Sequence, residues 1–155
     1  PSAPDMLAYL MQHLIFCAEL PQEPPEYRTH LLLPGQSQTL ADIPQAAARA
    51  QLAQWLAYFR LGQSRPLPFF AKTGLAVAEV LSSNKADSLE RAQQSARSEY
   101  HGSKKSTGQR DYIEVDLVFG RDSVEPIDTP LFWNLLEDLL VPLLQALQAE
   151  AATAD

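Results

Sequence analysis

Four lysines, three histidines and a single cysteine, together with the serines and carboxylates, are the residues from which nucleophilic or metal chemistry would have to be built in this 155-residue chain. Lys72-Thr73-Gly74 matches the triplet of penicillin-recognising serine enzymes, and Ser82-x-x-Lys85 matches the motif in which their lysine sits beside the nucleophile. Here the order is reversed, no Ser-Asp-Asn occurs, and the chain is too short for that fold. Gly102 to Gly108 has the look of a phosphate-cradling loop. It lacks the Gly-Lys-Ser/Thr ending, however, and follows a helical pattern where a strand is needed. His13, His30 and His101 share no metal-ligand spacing with one another or with Cys17. Cys17 lies among Ile15, Phe16 and Ala18, cannot form an internal disulfide, and reads as a small buried hydrophobe. Trp55 and Trp133 fall on apolar helical faces, where packing outweighs base stacking. The expectation is therefore no catalytic residue, no metal and no cofactor.

The elements that would position these side chains centre on Gln51 to Ala76, QLAQWLAYFRLGQSRPLPFFAKTGLA. Leu52, Trp55, Leu56 and Phe59 recur at helical spacing and form an apolar face that needs a core. Gly62 is expected to end that helix in the left-handed conformation. Pro66 and Pro68 stiffen the connector, so Leu67, Phe69 and Phe70 are presented as plugs for neighbouring elements. Thr73 or Gly74 then opens a helix with Leu75, Ala78 and Leu81 on one side.

Upstream, residues 5 to 20 form an amphipathic helix that Pro21 stops. PQEPPEYR is a proline-rich linker, and Pro34-Gly35 marks a hairpin between two short strands in THLLLPGQSQTLADI. Asp42 with Gln45, and Asp87 with Glu90, have capping-box spacing for helices over about 43 to 61 and from 87 to near Gly102. Between them LSSNKA is a polar break. The second helix carries only a narrow apolar stripe of Leu89, Ala92, Ala96 and Tyr100. GSKKSTGQRD reads as a loop, and DYIEVDLVFG alternates with period two, the mark of an edge strand over 112 to 119, with a helix there as the alternative. Thr129 caps a closing helix with Pro130 at its first position, Pro142 predicts a kink within it, and the tail AATAD is expected to fray.

Hydrophobic residues make up 46% of the chain and charged residues 20%, a globular composition. The length fits a single domain over 1–155. A net charge of −7 opposes autonomous nucleic-acid binding. Six basic residues against three acidic between Lys85 and Arg110 form a local exception, so Arg97, Lys104, Lys105 and Arg110 are the candidates for phosphate contact. Phe69, Phe70 and Lys72, in the stiff connector and just after it, are the candidates for partner docking. The first apolar run lacks a basic leader and is too short to span a membrane, and one cysteine suits a reducing cytoplasm.

PLPFFAKTGLA, with HLIFCA upstream and LFWNLLEDLLVPLLQAL downstream, resembles the C-terminal domain of RecC, the gamma subunit of the bacterial helicase-nuclease exodeoxyribonuclease V (RecBCD). The resemblance runs in the same order over nearly the whole chain. It implies an α+β fold, a small β-sheet wrapped by helices, of degenerate PD-(D/E)XK nuclease type. It also implies RecB and RecD as partners, duplex DNA within the complex, and a cytoplasmic location without membrane contact. Active nucleases of that type need two carboxylates to hold a divalent cation and an Asp/Glu-x-Lys to steady the attacking water. Two positions before Lys72, Lys85, Lys104 and Lys105 stand Phe70, Ser83, Gly102 and Ser103, so the pattern is absent. The expected function is non-catalytic: subunit docking and duplex guidance in double-strand break repair by homologous recombination. The alternative is a free-standing helical adaptor that binds a protein through an apolar face.

Overall fold

Ser2 and Asp5 start the first helix, α1 (Ala3–Glu19), through a reciprocal cap. The Ser2 amide and hydroxyl both donate to Asp5 Oδ2, at 3.1 and 2.6 Å, and the Asp5 amide donates back to Ser2 Oγ at 3.4 Å. The structure, a computed structural model, describes residues 2–19, 29–33, 36–83, 87–103, 106–120 and 124–148. The proline-rich linker at 21–28, the Pro34-Gly35 pair, residues 84–86 of the polar break, Lys104, Lys105 and the tail lie outside the described residues.

The expected hairpin is present as β1 (Thr29–Leu33) and β2 (Gln36–Leu40), antiparallel with Thr29 opposite Leu40 and Leu33 opposite Gln36. It is tied to α1 by the buried imidazole of His13. The Ala41 carbonyl, 2.8 Å from His13 Nε2, can only accept, so Nε2 carries the proton; in the uncharged ring Nδ1 then accepts from the Thr29 hydroxyl at 2.9 Å. Beyond β2, residues 41–44 are neither helix nor strand, and Ala41 and Ile43 are buried. Helix α2 (Gln45–Gly62) therefore begins later than the Asp42 cap implied, with Pro44 at the capping position and no side-chain cap.

The expected left-handed Gly62 is not found. The chain stays right-handed through Gln63 (φ −69°, ψ −21°), whose amide donates to the Phe59 and Arg60 carbonyls, both at 3.2 Å. The missing side chain serves close approach instead, because a Cβ on Gly62 would stand 3.3 Å from Leu67 Cδ1.

Helix α3 (Ala71–Ser82) is the hub, packing on α1, on α4 (Ser88–His101) and on the closing helical run. It buries Thr73, Gly74, Leu75, Val77, Ala78 and Ser82. Helix α4 buries only Ala92, Ala96 and Tyr100, and Leu89 of the expected stripe is exposed. Its Asp87–Glu90 capping box is not formed: the Asp87 carboxylate turns to Arg91, 3.7 Å away. Gly102 ends α4 with φ +74°, leading into a two-residue hairpin of β3 (Gly102–Ser103) and β4 (Ser106–Thr107) and a 3-10 turn (Gln109–Asp111).

Residues 113 to 119 form a helix, α5 (Ile113–Phe119), which corrects the expected edge strand. Among the described residues both sheets are two-stranded, so no ladder accepts a strand here. A helical turn instead brings Val115 and Phe119 together, and the Phe119 ring meets Phe70 edge-on with centroids 5.7 Å apart. After a 3-10 turn (Pro126–Asp128), Thr129 caps α6 (Pro130–Leu135) as expected, accepting from the Phe132 amide at 3.3 Å.

The irregularity expected at Pro142 lies one turn earlier, as a π-turn (Leu136–Leu140) before α7 (Val141–Gln148). Pro142 has no N–H to offer the fourth carbonyl behind it. The helix accommodates this by widening, and the Val141 amide reaches five residues back to Leu136. Phe132, Leu136, Leu140 and Leu143 from this run meet Leu14, Val77, Ala78 and Phe70 in the core. The described architecture is thus mostly helical with two small antiparallel hairpins, compatible with an α+β class.

Candidate docking and DNA-facing surfaces

The three docking candidates are drawn inward. Phe70 is 4% exposed and packs on Tyr100, Phe119 and Phe132. Phe69 is half-buried, edge-on to Trp55 at 5.6 Å. Lys72 forms an ion pair with Glu99 at 3.0 Å and donates to the Thr107 carbonyl at 3.4 Å, fastening α4 and β4 to the start of α3. The stiff connector does plug side chains into neighbours, and those neighbours belong to this domain.

Gln109, which the sequence did not single out, completes this corner. Its Oε1 accepts from both the Thr73 amide and the Thr73 hydroxyl at 3.0 Å. Phe70, at the capping position of α3, offers no side-chain oxygen, so the amide of Gln109 satisfies one of the helix's open donors from 36 residues away.

The apolar face of α2 is only partly used. Ala48 is its one buried residue; Leu52 and Trp55 are half-buried, whereas Leu56 and Phe59 are 55% and 65% exposed. The body-facing side is held by Tyr58, whose hydroxyl donates to Asp138 Oδ2 at 2.5 Å, and by Gln51 Nε2, which donates to the Leu139 carbonyl at 3.3 Å. Burial first, and then the hydrogen bond to Asp138, push the Tyr58 phenol up to about 12. Trp55 Nε1 is buried without a hydrogen-bond partner among the described residues.

Of the basic candidates Lys104 and Lys105 lie outside the described residues, and Arg97 and Arg110 stand in different surroundings. Arg97 lines a recess of about 180 Å³ with Gln93, Asp128 and Trp133. Arg110 is paired with Glu125 at 3.3 Å, and Glu125 also meets His101 at 3.0 Å. Burial, with Glu125 second, raises the Tyr100 phenol beside them. Cys17 is buried as expected, and burial raises its thiol too. Among the described residues no three His, Cys, Asp or Glu side chains cluster closely enough to hold a metal ion, and no helix is long and apolar enough to cross a membrane.

Residues 1–82, just over half of the chain, match a family model described as the RecC C-terminal domain. The chain belongs to the RecC C-terminal domain family. The match spans α1, the β1–β2 hairpin, α2 and α3, and so takes in the connector and the exposed flank of α2. As a RecC domain the chain is associated with the RecBCD complex. A search of the curated proteins finds no match.

Proposed function

We propose that this RecC domain is a non-catalytic docking module of the RecBCD helicase-nuclease, working in the cytoplasm in double-strand break repair by homologous recombination. Its role is to hold partner subunits, RecB and RecD, and to help guide the duplex. The reading also takes the domain as a nuclease-like fold retained without its chemistry, supported by the absence of Asp/Glu-x-Lys from the sequence. No cofactor is required by it.

The observation that carries the docking role is the flank of α2, where Leu56 and Phe59 stand exposed on a helix whose other side is pinned down. Exposed apolar side chains next to each other on a rigid helix are a signature of an interaction surface. Guidance of duplex would come from phosphate contacts and so weaken with salt. The test is a pull-down of the purified domain against purified RecB and RecD: retention by at least one is expected, and absence of binding to both overturns the reading.

A further inference from the structure

Between Ile43 and Ala78 the chain has no acidic residue and four basic ones, Arg49, Arg60, Arg65 and Lys72. That segment carries +4 in a chain of net charge −7, leaving −11 for the rest. Lys72 is neutralised by Glu99, and Arg49 Nε is spent on the Ala18 carbonyl at 2.9 Å. Arg60 and Arg65 are exposed and make no ion pair among the described residues.

Helical geometry sets Arg60 beside the apolar flank. At 100° per residue Leu52, Leu56 and Phe59 fall within about 60° of one another, and Arg60 falls about 40° beyond Leu56 on the side away from Phe59. Arg65 is folded back onto the end of the same helix, its amide donating to the Leu61 carbonyl at 3.2 Å. An apolar stripe with Arg60 on its border and Arg65 just past the helix end, neither of them ion-paired among the described residues, fits a second helix with its own apolar stripe bordered by carboxylates.

We propose that the C-terminal half of α2 is a docking surface for an amphipathic, acidic helix of a partner protein. The inference rests on the docking role proposed above and names the chemistry of what docks. The chain itself offers one segment of that type, α5, with Ile113 and Leu117 at 70% and 76% exposed beside Glu114 and Asp116. Seating α5 of one copy on α2 of another would pair the chain with itself, whereas a RecC domain is associated with a complex of unlike subunits, so a helix of a different subunit is the occupant proposed.

The experiment uses the full-length RecC subunit reconstituted with RecB and RecD, with a benzoylphenylalanine photocrosslinker in place of Phe59. The adduct is expected on a helix of a partner subunit bearing two or more Asp or Glu along its apolar stripe. Phe59→Ala is expected to weaken assembly about tenfold. Arg60→Glu with Arg65→Glu is expected to weaken it most at low salt, with recovery when the crosslinked carboxylates are changed to Lys. Because Phe59 is 65% exposed, these variants should melt within about 2 °C of the unaltered protein, separating lost docking from lost fold.

An adduct on this chain, on a second copy, on DNA or on a partner surface without acidic residues overturns the inference, as does unchanged assembly in Phe59→Ala. If the unaltered subunit fails to assemble at all, the docking role itself falls. If it assembles and the variants are indifferent, only the assignment of α2 falls.

Discussion

Tyr58 illustrates how single side chains fix the body-facing side of α2. Its phenol donates to Asp138 across the interface with the π-turn, and it loses its proton only near pH 12. The sign of the pH dependence follows. The folded state keeps this proton after the unfolded chain, with its ordinary value of 10.0, has begun to lose it. The contribution to stability is therefore complete below pH 10 and declines as pH rises toward 12. In Tyr58→Phe the transition near 12 should vanish from a phenolate absorbance titration; its persistence would contradict the assignment. Gln109 makes a second argument at this scale. Gln109→Leu removes the oxygen that holds the Thr73 amide and hydroxyl, and should lower unfolding free energy by about 1–2 kcal/mol in a urea melt. Neither contact was legible beforehand. A side chain that caps a helix 36 residues away has no local signature, whereas Cys17 was legible because its neighbours in sequence are its neighbours in the core.

At the scale of elements, local signals succeeded where both partners of a contact lie within one turn. Thr129-Pro130 starts α6 as expected, and the two strands expected around Pro34-Gly35 pair as an antiparallel hairpin. Capping-box spacing is present at Asp42 and Asp87 without the box, whereas Ser2 with Asp5 forms one at the start of α1. Asp87 has Arg91 as a competitor, and Asp42 precedes a non-helical segment that contains buried Ile43. DYIEVDLVFG failed for another reason. Alternation means a strand only where a ladder is available, and here the Phe70 cluster rewards a helical turn instead. Gly102 carries the sharpest test at this level. With φ +74° and a Cβ position 2.3 Å from the Gly108 amide nitrogen, it cannot take a side chain without moving backbone. Gly102→Ala should cost about 1–3 kcal/mol in a thermal or urea melt. A change under about 0.5 kcal/mol would mean that the β3–β4 hairpin is not seated as described.

At the scale of the molecule, the chain uses its aromatic connector internally and leaves part of its longest helix outward. Periodicity could identify the Leu52, Trp55, Leu56 and Phe59 face but not its covering, because α1 packs along α2 while the C-terminal half of that face retains Leu56 and Phe59 in solvent. The same limit applies to the basic candidates. Sequence located them between 85 and 110, whereas the pairing of Arg110 with Glu125 and the place of Arg97 beside Trp133 depend on residues from 125 onward. If Arg97 touches phosphate in the assembled complex, Arg97→Ala should weaken duplex binding regardless of sequence and reduce the slope of log affinity against log salt by about one. An unaltered slope would remove it from the DNA path. The central claim concerns the surface of α2, and amide hydrogen exchange over residues 52–62, compared between free and assembled RecC, tests it most directly. Slower exchange there on assembly is the expected result; identical exchange in the two states, with protection elsewhere on the domain, would contradict it.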